Sequence, residues 1–175
     1  YSRKSVYEGY KVVIDPGHGG NDRGAYYGGI AEKSVNLEIA KKVKTILEKY
    51  VDHQCDVLVR RTRYDLRKAQ ERQHLLEGLK IACDNIDEVI KIIRESYDDA
   101  KENLMNRFGL SEIQANAILN MQLRRLQGLE REKIENELAE LAEKIDYYTR
   151  FLADHQMVLD KVKEDVIKKK KKYAD

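Results

Sequence analysis

Proline is almost missing from this sequence. The only one, Pro16, lies with seven of the ten glycines in the first 29 residues. Beyond Gly29 the only glycines are Gly78, Gly109 and Gly128, so long stretches carry nothing that interrupts a helix. Cysteine is scarce as well. Cys55 and Cys83 stand 28 positions apart in no metal-binding or redox spacing, and read as reduced thiols of an intracellular protein. No apolar run approaches the roughly 18 residues that a membrane span requires. The opening "YSRKSVYEGY" lacks the apolar core of a secretory signal. Neither sign of charge dominates: 37% of the 175 residues are charged, yet the net is +2. That excludes a global field directed at nucleic acid or a membrane.

What is present divides into two compositions. Residues 1–50 carry nine Lys and Arg against six Asp and Glu; residues 51–175 carry 24 against 25. The length suits one medium domain or two small units. "KVVID" (Lys11–Asp15) is a β-branched run that reads as a buried strand. The Gly-rich "PGHGGNDRGAYYGG" ends it as a loop. From Glu32 onward Val35, Ile39, Ala40, Val43, Ile46 and Leu47 recur at helical spacing, which predicts a helix over Glu32–Lys49. "VLVRRTRYD" (Val57–Asp65) reads as a second strand that pairs beside Val12–Ile14, with Glu32–Lys49 as the crossover helix.

Heptads follow. Leu76, Leu79, Cys83, Ile86, Ile90 and Ile93 form one a/d seam in a helix expected over Leu66–Ser96. A longer seam runs Ile134, Leu138, Leu141, Ile145, Tyr148, Leu152, His155, Leu159, Val162 and Val166 in a helix expected over Glu130–Lys172, with His155 partly buried. Between them, Ser111 is placed to cap a helix over "EIQANAILNMQL". The expected fold is mainly α: a long antiparallel coiled coil with a small helical knob, preceded by a short βαβ-like unit. The expected divisions are 1–50, a junction strand and loop at 51–65, and a coiled coil at 66–175 whose knob spans 97–129. The knob carries more apolar surface than a hairpin tip can cover, and a homodimer is the usual solution. The expected interface is Leu110, Ile113, Ala117, Ile118, Met121, Leu123 and Leu126.

His18, at the end of a strand, and Glu32, at a helix start, are ordinary zinc-ligand types. The stretch that holds them, "VVIDPGHGGNDRGA" with "EKSVNLEIAKKV", resembles the start of the zinc-dependent N-acetylmuramoyl-L-alanine amidases over about Lys11–Lys49. The resemblance implies that His18 and Glu32 are zinc ligands. The family also requires a later His ligand and a C-terminal catalytic Glu. Neither is found, since His53, His74 and His155 lack the family's context. The expectation is an incomplete site that binds zinc weakly at best.

From Val51 to Asp175, "HQCDVLVRRTRYDLRKAQERQHLLEGLKIACDNIDEVIKIIR", "LSEIQANAILNMQLRRLQGLEREKI" and "VLDKVKEDVIKKKKKYAD" resemble the A subunit of bacterial DNA gyrase and its topoisomerase IV relative. The resemblance implies a coiled coil whose knob pairs two protomers to form the exit gate for a transported duplex. The domain that bears the family's nucleophilic tyrosine is not in this segment, so no catalytic residue is expected.

Three functions follow: a non-catalytic homodimerisation module joined to an amidase half-site, a zinc amidase acting on peptidoglycan, or a fragment that supplies the exit gate of a type II topoisomerase. The first is the primary expectation, in the cytoplasm; the amidase alternative would act at the cell wall or periplasm. Lys168–Lys172 read as a solvated helix end whose cations suit the negative C-terminal dipole, and no nucleic-acid site is expected.

Overall fold

The computed structural model describes residues 12–121 and 128–173. Within them lie a two-stranded hairpin and six helices: β1 Tyr26–Tyr27, β2 Ile30–Ala31, α1 Glu32–Asp84, α2 Ile86–Glu95, α3 Ala100–Phe108, α4 Glu112–Leu119, α5 Gly128–Ala153 and α6 His155–Tyr173. The chain divides into two units between Asp56 and Val57, inside the 51–65 stretch where the sequence changes character.

The first unit is a loop, the hairpin and the start of α1. The hairpin pairs antiparallel, Tyr26 with Ala31 and Tyr27 with Ile30. The βαβ expectation is corrected here. Val12–Ile14 form no strand, and Val12 and Val13 are 80% and 86% exposed. Val57–Asp65 lie inside α1 as helix. β-branched residues tolerate a helix when its other face has a packing partner, so their local β preference is overridden. The expected junction strand is helix throughout, and the helix expected to end at Lys49 continues to Asp84.

The second unit has the core. Leu76, Leu79 and Ala82 of α1 pack with Val89 of α2, Leu104 of α3, Ile118 of α4, and Ile134 and Leu141 of α5. α5 runs antiparallel to the end of α1, as three ion pairs show. Arg72 Nε and a second guanidinium nitrogen bond the two carboxylate oxygens of Glu137 at 2.7 and 2.9 Å; Lys80 meets Glu135 at 3.5 Å and Arg131 meets Asp84 at 2.8 Å. That bidentate hold keeps Glu137 below the ordinary Glu value.

Both long helices break once. At Asn85 the side chain bonds the Ile81 carbonyl at 2.9 Å, and a new helix starts at Ile86. The buried register runs one residue off the expected seam on both sides of the break, since Ala82 is 0% exposed and Cys83 only partly buried. Val89, 3% exposed, and the partly buried Ile92 face the core, where the unbroken heptad predicts Ile90 and Ile93; Ile93 is 37% exposed. At Asp154 the carboxylate accepts the Gln156 N–H at 2.8 Å and opens α6. His155 therefore sits in the first turn of a new helix and is exposed, not on a buried seam.

Candidate functional site

His18 and Glu32 are brought together. His18 lies in a run of left-handed backbone, with its own φ at 57°. Its Nδ1 bonds Asp22 Oδ2 at 2.8 Å and its Nε2 lies 3.4 Å from Glu32 Oε2. Asp22 in turn accepts the Gly24 N–H, and Glu32 accepts the Ala25 N–H at 2.9 Å. Only glycine fits at position 24. Its φ is +61°, and a Cβ there would come within 2.7 Å of both Glu32 Oε2 and the His18 ring. The Asp22 hydrogen bond, helped by its charge, raises the imidazole above its ordinary value. The same bond lowers Asp22, and the Ala25 N–H lowers Glu32.

The donor set does not fit a catalytic zinc centre, which needs three protein ligands and an open position. One imidazole nitrogen and one carboxylate face each other, and Asp22 occupies the other imidazole nitrogen. Among the described residues no group of three or more His, Cys, Asp or Glu side chains is arranged to hold a metal ion. His53, His74 and His155 all lie in helices, away from the loop that carries His18 in sequence.

The knob is the other candidate. α3 and α4 form it, and it is fastened to α1 through polar groups that sequence patterning passed over. Ser111 caps α4 as expected. Its N–H donates to Gln114 Oε1 at 2.9 Å while its hydroxyl accepts from the Gln114 N–H, a reciprocal capping box. Gln114, only 6% exposed, sends its amide nitrogen back to the His74 carbonyl at 2.6 Å. His74 Nε2 meets the Ser111 hydroxyl at 2.8 Å. Gly78 makes room for this: a Cβ there would lie 2.7 Å from Gln114 Cβ and Cγ. The signal for Gly78 was its isolation as the lone glycine of a long helical pattern.

The expected interface residues take different places. Leu110 and Ile118, 5% and 3% exposed, are spent on the chain's own core. Ile113 is 64% exposed, and Ala117 and Met121 are half-buried. Leu123 and Leu126 lie outside the described residues. α4 ends at Leu119, short of the expected "NMQL". Beside the knob is a cleft of about 530 Å³, floored by Leu75, Leu76, Leu79 and Ile134 and rimmed by Arg72, Lys133 and Glu137.

Residues 30–167 match the family model for the A subunit of DNA gyrase/topoisomerase IV. The match opens at Ile30, upstream of the Val51 expected from the motifs, and takes in the helical part of the amidase-like stretch. The chain is 52% identical over 135 residues to the DNA gyrase A subunit of Halalkalibacterium halodurans, covering 76% of this chain and 16% of that protein. It is 49% identical over 131 residues to the same subunit of Deinococcus deserti, covering 74% and 16%. With that of Staphylococcus aureus it shares 50% over 135 residues, covering 76% and 15%. The chain thus spans about one sixth of the length of the curated relatives it matches. No helix among the described residues is long and apolar enough to cross a membrane. By the breadth of the family match and the level of identity, the chain belongs to the family of DNA gyrase/topoisomerase IV A subunits.

Proposed function

We propose that this chain supplies the exit gate of a type II DNA topoisomerase, acting as a coiled-coil stalk whose knob pairs with a second copy. The family match over residues 30–167 carries the reading. The fold agrees with it: antiparallel helices joined by ion pairs lead to a knob whose own core is closed by Leu104, Leu110 and Ile118. Ile113, exposed on α4, then becomes the centre of the pairing surface, with Ala117 and Met121 beside it. The role is non-catalytic: the gate holds and releases a duplex while the cutting chemistry belongs to other parts of such an enzyme. The test is a segment exchange. Residues 57–173 replace the matching stretch of the Staphylococcus aureus protein, and supercoiling is measured with its partner subunit. Retained supercoiling supports the reading, and a soluble hybrid that cleaves DNA but cannot pass a duplex contradicts it.

The amidase reading has one observation in its favour, the approach of His18 to Glu32. Two such groups leave a zinc-bound water without a third ligand and without a base. The gate reading therefore stands ahead of it, and any zinc held at His18 and Glu32 is weakly bound.

A further inference from the structure

As Lys168–Lys172 do at the far end of the chain, residues Val57–Lys68 of α1 form a dense basic run. They hold five Arg and Lys against one Asp, a net of +4 in a chain that totals +2. The helix sorts them to one side. Thr62 and Ala69 are buried and Leu66 is half-buried, while Arg60, Arg61, Arg63, Tyr64, Arg67 and Lys68 are exposed. At about 100° and 1.5 Å per residue, those six side chains share an arc of about 160° and a length of about 12 Å.

Local anions hold Arg61 and Arg67 of this face loosely. Arg61 lies 3.9 Å from Asp65 and Arg67 lies 3.7 Å from Glu71, while Lys68 approaches Glu71 at 2.8 Å. Exposed pairs of this kind yield readily to a competing polyanion. Tyr64, 53% exposed, sits under two of the cations, with the Arg67 guanidinium 5.5 Å and the Lys68 ammonium 5.9 Å from its ring centre.

We infer that this face of α1 is a contact for the phosphate backbone of duplex DNA. Duplex DNA presents one charge per about 1.7 Å of axis, so a basic face of this length meets several phosphates at once. The face offers donors and cations with a single aromatic ring, which suits phosphate positioning and not base reading. The choice of duplex over other polyanions rests on the gate reading; the basic face does not. It gives the transported duplex a contact where the sequence reading assigned no nucleic-acid residue. It also moves attention away from Lys168–Lys172, where Lys168 is already engaged with Glu164.

The test is fluorescence anisotropy of a labelled duplex of roughly 30 base pairs, titrated with the whole chain at salt from about 50 to about 200 mM. With about four phosphates neutralised, the slope of log affinity against log salt should be about −3 to −4. The R61Q/R63Q/R67Q variant should lose about two to three units of slope and at least about tenfold in affinity at the lower salt. The K168Q/K170Q/K172Q variant should stay within about twofold of the parent. No binding by the parent, unchanged binding by the arginine variant, or an equal loss in the lysine variant would overturn the inference. Molar mass is measured on the same samples, so a chain that binds DNA as a monomer contradicts the gate alone.

Discussion

Two stretches of one helix make the instructive contrast. Along the first part of α1, Val35, Leu37, Ile39, Val43, Ile46, Leu47 and Tyr50 are 40% to 65% exposed. Further along, Cys55, Thr62, Ala69 and Leu76 are all buried, none above 9%. The first stretch is the more apolar, and the second carries the core. A helical period in apolar residues forms an amphipathic face; burial depends on whether a second element lies against it. The second stretch packs with α3, α4 and α5 and closes, and the first presents its stripe to solvent.

That contrast can be broken most forcefully by truncating one residue on each side. Leu76→Ala should cost about 2–5 kcal/mol, because the side chain is 1% exposed and would leave a cavity in a many-sided contact. Ile46→Ala, at 65% exposure, should stay within about 0.5 kcal/mol. Urea unfolding of both variants decides it; equal costs would mean that the first stretch is covered in solution.

Next in size is Gly78→Ala. The new methyl would press on Gln114, which cannot swing away without giving up the His74 carbonyl, and a loss of about 1–3 kcal/mol is expected by the same unfolding measurement. Ser111→Ala removes the hydroxyl side of the capping box and should cost about 0.5–2 kcal/mol. If it were neutral while Gly78→Ala is not, the knob would be held by Gln114 alone.

The smallest effect belongs to the first unit and concerns pH. The Asp22 hydrogen bond raises His18 above 6.5 and depresses the Asp22 carboxyl below 3.8. The imidazole's contribution is whole below its unfolded value and fades as pH rises through its raised folded value. The carboxylate's is whole above its unfolded value and fades as pH falls through its depressed folded value. The loop is therefore best held in the acidic window between them. An NMR titration should place the His18 midpoint above 6.5, and Asp22→Asn should bring it back down; an unmoved midpoint would show that the contact does not persist in solution.

Much of this was legible in the sequence where local chemistry decides structure. The start of α1 at Glu32 and the Ser111 cap follow from short-range signals that nothing later overrides. The seam of α1 was legible only from Leu76 onward. Its earlier positions, Cys55, Thr62 and Ala69, keep the sevenfold spacing in small or polar residues that do not look like a core. The same stretch is rich in β-branched residues, Val57, Val59 and Thr62, which suggests a strand, and only the partner face shows it to be helix. The one-residue offset from Ala82 onward is invisible to a heptad count because neighbouring residues are apolar in both registers: Ala82 and Cys83, Val89 and Ile90, Ile92 and Ile93. The His18–Glu32 approach was foreseen from the motif; Asp22, which takes up the other imidazole nitrogen, was not. Its signal was the Asp four residues after the His in a glycine-rich loop.

The central claim is that the knob pairs two copies of the chain. Sedimentation equilibrium across micromolar concentrations tests it most directly, on the chain and on Ile113→Asp, which alters the exposed first turn of α4 and leaves the buried Leu110 and Ile118 untouched. The account predicts twice the chain mass for the parent and a single chain mass for a variant that keeps its helical content. A parent that remains monomeric throughout, or a variant that dimerises as tightly as the parent, would contradict it.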